Sequence, residues 1–186
     1  MESTLSEESH RAVQHISKER HPFLTGYMFI DGPTGKIRIS SRDGIINAIC
    51  FCPGTPPIET ETETTSIELV NCAHELTEYF LGKRQVFTFP FHQDGTSFQQ
   101  RVWAELFQIS YGKTISYQQL ANRLGDPKVI RAAASANGRN KMAIVIPCHR
   151  VIGTNGTLVG YAGGLQNKRW LLEHEERCFH GVQSLF

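Results

Sequence analysis

Three helix starts lie within residues 96–138, and they constrain the fold more than any other feature of the chain. Thr96-Ser97-Phe98-Gln99 predicts a capping box, in which the Thr hydroxyl accepts one free backbone N–H and the Gln side chain accepts another. The helix behind it should run to about Ile109 and bury Phe98, Val102, Trp103 and Leu106. Ser116-Tyr117-Gln118-Gln119 repeats the pattern, with a short helix to Leu124 and Gly125 as its stop. Asp126-Pro127 opens a third helix, Asp as cap and Pro where its missing N–H costs nothing. That helix should end at Asn137-Gly138, a pair suited to a left-handed exit. Two short helices around a Gly-Asp-Pro turn make a helix-turn-helix. The second reads Lys128-Val129-Ile130-Arg131-Ala132-Ala133-Ala134-Ser135-Ala136, with too little bulk to keep its backbone away from another surface. Alanines alone favour a core helix; Arg131 in their midst favours a nucleic-acid groove.

Charge supports the groove. Residues 1–95 hold eight Lys/Arg and thirteen Asp/Glu, net −5, whereas residues 96–186 hold eleven and five, net +6. An acidic half and a basic half suggest two domains, and the basic one carries the footprint of a nucleic-acid binder. The first half reads differently. Phe23–Ile30, Lys36–Ser40 and Ile45–Phe51 alternate as strands, separated by turn clusters at residues 31–35 and at Asp43-Gly44, which implies an antiparallel meander. Residues 1–21 read as a loose arm, and Pro53–Ser66, rich in Pro, Thr and Glu, as an exposed loop. Ile67 to Phe80 has helical spacing with Gly82 as stop, Phe87–Phe91 reads as a short strand, and residues 92–95 as a linker. The start Met1-Glu2-Ser3-Thr4 is neither basic nor apolar, and no stretch is long enough to span a bilayer. A cytoplasmic protein without a membrane partner is therefore expected, its five cysteines reduced.

Cys148 is the candidate for chemistry. Ala143-Ile144-Val145-Ile146 is apolar and largely β-branched and reads as a buried strand, ended by Pro147, which cannot donate to a ladder. Cys148 would sit at the mouth of that strand, held at a pocket edge. A thiolate is a nucleophile, and a neighbouring imidazole can take its proton. Neighbours in an extended strand face opposite sides, so His149 can assist only if the chain turns here or a water carries the proton. A Cys-His pair by itself is more often packing than chemistry.

This pair has company. Thr96-Ser97-Phe98-Gln99, Ile115-Ser116-Tyr117-Gln118-Gln119-Leu120-Ala121, Arg131-Ala132, Ala136-Asn137-Gly138, Ile146-Pro147-Cys148-His149-Arg150-Val151-Ile152-Gly153, Gly160-Tyr161-Ala162-Gly163-Gly164 and Trp170-Leu171-Leu172-Glu173-His174-Glu175 recur in this order. In order and spacing they resemble the catalytic domain of the O6-alkylguanine-DNA alkyltransferases (methylated-DNA–protein-cysteine methyltransferases). Residues 1–91 are similar in outline to that family's ribonuclease-H-like N-terminal domain. The resemblance implies a mixed α/β (α+β) chain in two domains. Residues 1–92 would form a ribonuclease-H-like antiparallel sheet with a helix, and residues 93–186 a winged helix-turn-helix-like domain that binds DNA and carries the chemistry.

It also implies the activity: direct reversal of damage, an alkyl group moving irreversibly from O6-alkylguanine in double-stranded DNA to Cys148. O4-alkylthymine is an open second substrate. No cofactor and no metal are called for, and a monomer is expected in the free state. His149 would act as base through a water, oriented by Glu175, as in a cysteine-protease triad turned against carbon. Asn140 would tie the helix-turn-helix to the active-site segment. Arg131 would fill the gap left by an extruded base, with Ala132 and Ser135 on the same DNA-facing helix, and Tyr117 would turn the phosphate and donate to the flipped base. Flipping is required because the alkylated oxygen faces the duplex interior. Tyr117, Val151, Tyr161 and Ala162 would shape the pocket, backbone groups of Cys148, Val151 and Ala162 reading the base edge. Many relatives carry Ser at position 162, so Ala162 bears on the size of alkyl group accepted. No residue is placed to cleave a thioether, which makes each molecule good for one turnover.

Other residues read as structural. Cys50-Phe51-Cys52 and Cys72-Ala73-His74 could supply four zinc ligands, but Cys-x-Cys is tighter than the usual spacing, and packing is expected. Cys178 reads as incidental and His174 as a helix-surface residue. The rival from another class is a helix-turn-helix protein that binds lesions or regulates genes without chemistry; such members of the family lack the acceptor cysteine.

Overall fold

Alternation of apolar and polar residues produces the expected meander. In the computed structural model, which describes residues 25–52 and 66–179, β1 spans Thr25–Gly32, β2 Gly35–Arg42 and β3 Ile45–Phe51. They pair antiparallel in the order β1-β2-β3. The arm over residues 1–21, the first residues expected for β1 and the loop over residues 53–65 lie outside the described residues. Asp43 and Gly44 join β2 to β3 with φ of 52° and 76°, the left-handed pair that matches hairpin twist. The register slips after Ser40, leaving Asn47 as an extra residue on β3. This bulge resets the parity of the strand, so Ile46 and Ile49, three residues apart, both reach the core.

Helix α1, Ile67–Phe80, presses Leu69, Cys72, Leu76 and Tyr79 onto the sheet beside Ile37 and Ile39. Gly82, with φ 71°, follows it as the left-handed stop. The strand expected at Phe87–Phe91 does not form. Only Phe91 bridges to Ile46, because Pro90 has no N–H and Glu75 captures both the N–H and the hydroxyl of Thr88.

The second half follows its punctuation. Helix α2 is Ser97–Phe107, and β4 (Ile115–Ser116) leads into α3 (Tyr117–Arg123); both capping boxes form, on Thr96 and on Ser116. Asp126 caps a 3-10 turn, Pro127–Val129, that winds into α4, Ile130–Gly138. The left-handed exit expected at Asn137-Gly138 is absent. The helix closes on Arg139 at φ −93°, where the Arg139 and Asn140 N–H groups reach back to Ala136 and Asn137. Trp103 locks α2 to α4 through its indole N–H on the Ala136 carbonyl, 2.9 Å.

Residues 143–146 are buried as expected but are not a strand. Asn140 accepts the Met142 N–H and donates to the Ile146 carbonyl, and the Ile146 N–H returns to Met142, so the chain turns. Ile144 takes φ 72°, rare for a β-branched residue. Cys148–Arg150 continues as a 3-10 turn into β5 (Val151–Ile152), which pairs in parallel with β4.

Helix α5, Leu165–Phe179, closes the molecule. Its inward face carries Lys168, Leu171, His174 and Glu175. His174 is therefore not a surface residue. It sits one turn beyond Leu171, donates from Nε2 to the Tyr79 carbonyl (2.7 Å) and stacks on Trp170 at 4.7 Å. Cys178, one turn further, is half-buried against Gly82; a Cβ on Gly82 would lie 2.8 Å from its sulfur. Among the described residues no helix is long and apolar enough to cross a membrane.

Candidate active site

The turn at residues 140–150 gathers the site. Cys148 opens the 3-10 turn and is 4% exposed. Burial pushes its thiol up, while the Asn140 amide and the Lys168 charge pull it back. The Asn140 Nδ2 donates to Sγ at 3.1 Å, and Gln93 Nε2 in turn donates to the Asn140 Oδ1 at 2.9 Å. The sulfur is thus held protonated in a dry place, beside a donor that favours the thiolate once it forms.

The same turn carries His149 to the opposite side of the chain, where its Nε2 meets Glu175 Oε1 at 2.8 Å. Arg150 grips both oxygens of that carboxylate, Nε on Oε2 and Nη2 on Oε1, at 2.8 and 2.9 Å. Tyr79 from α1 and the Gly112 N–H complete the shell. Burial would raise the Glu175 pKa, but His149 and Arg150 outweigh it and hold the carboxyl well below its usual range. Burial also lowers the His149 pKa, against the pull of Glu175. The two directions agree if Arg150 answers the carboxylate charge and the imidazole stays neutral. With Nε2 donating to Glu175, Nδ1 is the basic nitrogen. It is buried and has no hydrogen-bond partner among the described residues.

Lys168 is fully buried, its ammonium on the carbonyls of Val151 (2.7 Å) and Val159 (2.9 Å). Burial brings its pKa down to about 8, with Cys148 opposing. The Tyr161 hydroxyl is buried near enough to Cys148 for the two groups to perturb each other. A cavity of about 130 Å³ opens over the sulfur, with Tyr161 and Ala162 on its rim.

Sequence comparison decides the family. Residues 26–93 match the profile of the 6-O-methylguanine DNA methyltransferase ribonuclease-like domain, and residues 97–177 that of its DNA-binding domain. The methylated-DNA–protein-cysteine methyltransferase of Methanosarcina acetivorans is 38% identical over 154 residues, 82% of this chain and 99% of that one. This chain belongs to that family. Its Mycobacterium tuberculosis relative is likewise 38% identical, over 86% of this chain and 98% of that one. The crystal structure of M. tuberculosis OGT in complex with DNA aligns with a TM-score of 0.75 at 37% identity, covering 82% of this chain and 94% of that one.

Against this methyltransferase frame, Cys148, His149, Glu175 and Asn140 meet in one buried cluster, with Tyr161 and Ala162 above it. Val151 is fully buried, its carbonyl accepting from Lys168 and its N–H donating to the Cys148 carbonyl. Tyr117 is half-buried and accepts from Asn137 Nδ2 at 3.3 Å; the same nitrogen reaches the Cys148 carbonyl. Arg131, Ala132 and Ser135 lie apart from the sulfur, side by side on the exposed face of α4. Sequence reasoning missed Tyr79, Gln93, Asn137, the clamp of Arg150 and Lys168. Asn137 and Arg150 lay within segments that carry the resemblance, and Lys168 had its helical spacing to Leu171 and Glu175. Cys72 lies in the core and Cys50 on the exposed edge of β3; among the described residues no three His, Cys, Asp or Glu side chains gather as a metal group.

Proposed function

We propose that this chain repairs DNA by moving the alkyl group of O6-alkylguanine onto Cys148. The observation that carries the reading is the buried Cys148, which accepts a hydrogen bond from the Asn140 amide, beside a His149 held by Glu175. The thiol proton passes through a water to His149 Nδ1. The thiolate attacks the alkyl carbon, forming the S–C bond as the C–O bond breaks, and the released electron pair goes to the guanine oxygen. Tyr117, whose pKa burial raises, stays protonated and hydrogen-bonds the departing guanine anion, which becomes ordinary guanine by taking a proton from water, while His149 returns the thiol proton to solvent. Lys168 places a positive charge near the sulfur, and Asn140 stabilises the anion.

Access requires the base to leave the duplex. The exposed face of α4, with Arg131 projecting and Ala132 and Ser135 leaving the backbone uncovered, fits a DNA groove, and Arg131 is long enough to fill the vacated stack. The binding of DNA by the M. tuberculosis relative supports DNA as the partner. Residues 93–186 hold the reacting groups, and residues 1–92 contribute Tyr79 to the shell of Glu175. The product is a thioether, and among the described residues no group stands ready to cleave it, so one molecule repairs one lesion.

Incubation with a duplex containing O6-methylguanine, followed by mass spectrometry, tests the reading. One methyl on the Cys148 peptide is expected, with Cys148→Ala binding but not accepting. An unmodified protein bound to damaged DNA would favour lesion recognition without chemistry, and clearance of excess lesion would overturn the single turnover.

A further inference from the structure

The segment that joins the two halves of the chain meets the site at one residue. Gln93 is 6% exposed, and both ends of its side-chain amide are used. Its Oε1 accepts the Lys141 N–H at 2.8 Å, and its Nε2 donates to the Asn140 Oδ1 at 2.9 Å. Gln100, on α2, donates from Nε2 to the Gln93 carbonyl at 2.8 Å and so holds its backbone. Lys141 is fixed in turn by β3. The Ile49 N–H donates to the Lys141 carbonyl at 2.7 Å, and the Ala143 N–H to the Ile49 carbonyl at 3.0 Å, a parallel bridge between β3 and the turn that presents the sulfur.

These bonds have a direction. A backbone N–H cannot become an acceptor, so the Lys141 N–H claims the oxygen end of the Gln93 amide and leaves its nitrogen end for Asn140. Asn140 then receives donors on Oδ1 from both Gln93 and the Met142 N–H, and its Nδ2 is left to face the Ile146 carbonyl at 2.8 Å and the Cys148 Sγ at 3.1 Å. Turned over, the same amide would set an oxygen against that carbonyl and against a forming thiolate. A donor on Oδ1 also draws charge through the amide and makes the Nδ2 hydrogens better donors, so its effect reaches the sulfur without contact.

We propose that Gln93 is a positioning residue for alkyl transfer, acting through the Asn140 amide to keep a strong donor on the Cys148 sulfur. The inference rests on Cys148 as alkyl acceptor, and the test separates the two. Gln93→Met keeps the length of the side chain and removes both of its hydrogen bonds. Wild type and variant are labelled with iodoacetamide across a pH series and, separately, given a duplex with O6-methylguanine; the Cys148 peptide is followed by mass against time. The titratable groups around the sulfur, Lys168 on α5, Tyr117 on α3, Tyr161, Cys50 and the His149–Glu175 pair, are the same in both proteins. A weaker donor leaves the thiolate less stable, so the midpoint of Cys148 labelling should rise by about one pH unit. Methyl transfer at neutral pH should slow about three- to tenfold and recover in alkali. Mere loosening would do the reverse, because burial is what raises the thiol and a hydrated sulfur would ionise at lower pH. If Gln93→Met does not fold, as judged by circular dichroism, Gln93→Leu serves, with the same sign expected. A midpoint that falls or stays, in a protein whose wild type takes the methyl, overturns the inference and leaves the acceptor reading standing. A wild type labelled at Cys148 but never methylated overturns the acceptor reading and the role of Gln93 in transfer with it.

Discussion

Cys148 is a thiol whose burial works against ionisation, so its reactivity depends on the groups that meet its anion. Asn140 is the nearest of them, at 3.1 Å. Asn140→Ala should slow alkyl transfer at neutral pH by about tenfold to a hundredfold, the worth of one hydrogen bond to a charged group. Part of the loss should return at higher pH, where bulk base ionises the thiol; a rate-against-pH series shows it. His149 sets the acid limb. Its pKa is lowered, and only the neutral imidazole accepts a proton, so the rate should hold through pH 6.5 and fall below it. A fall beginning above pH 7 in the same series would contradict the neutral assignment.

At the scale of elements, α4 separates binding from folding. Arg131 is exposed and its removal leaves the packing of Ala133 and Ala136 intact. Arg131→Ala should therefore change stability by no more than about 0.5 kcal/mol, read as Tm, while slowing repair in duplex more than in single strands. The helix starts were legible because each cap is a local arrangement of side chain and neighbouring N–H, complete within four residues. The sheet was legible from alternation. Residues 143–146 were not, because β-branched apolar residues report burial and not backbone path. The path here is set by Asn140, whose amide takes up Met142 and Ile146 and so substitutes for a ladder. Phe87–Phe91 was misread for the same reason, its polar groups being met by the distant Glu75. At the site, the grouping of Cys148 with His149 and Glu175 was readable from a run of residues and its resemblance. Tyr79 and Gln93 were not, since each meets its partner only across the assembled fold.

The whole molecule is joined at Glu175, where α1, α5 and the Cys148–Arg150 turn converge. That junction has a pH signature. The Glu175 pKa is depressed on folding, so the stability it contributes is complete above its ordinary value of 4.5 and drains as pH falls towards the folded value. His149, also depressed, works in the same sense, because protonation below its ordinary 6.5 favours the unfolded chain. Acid should therefore destabilise both halves in one transition. Fluorescence and circular dichroism melts between pH 7 and pH 4 should give a falling Tm with coincident curves.

The bridge between β3 and the Cys148 turn carries a consequence of another kind. The Ile49 N–H is bonded to the Lys141 carbonyl and the Ala143 N–H to the Ile49 carbonyl, so neither can exchange its hydrogen unless the two segments part. A thioether on Cys148 fills space between those same segments and removes the sulfur anion that Asn140 would stabilise. Deuterium uptake at these two amides, one of them far from the sulfur in sequence, should therefore differ between the fresh and the spent protein. The N-terminal sheet would then record, in its exchange rates, whether its single reaction has been used.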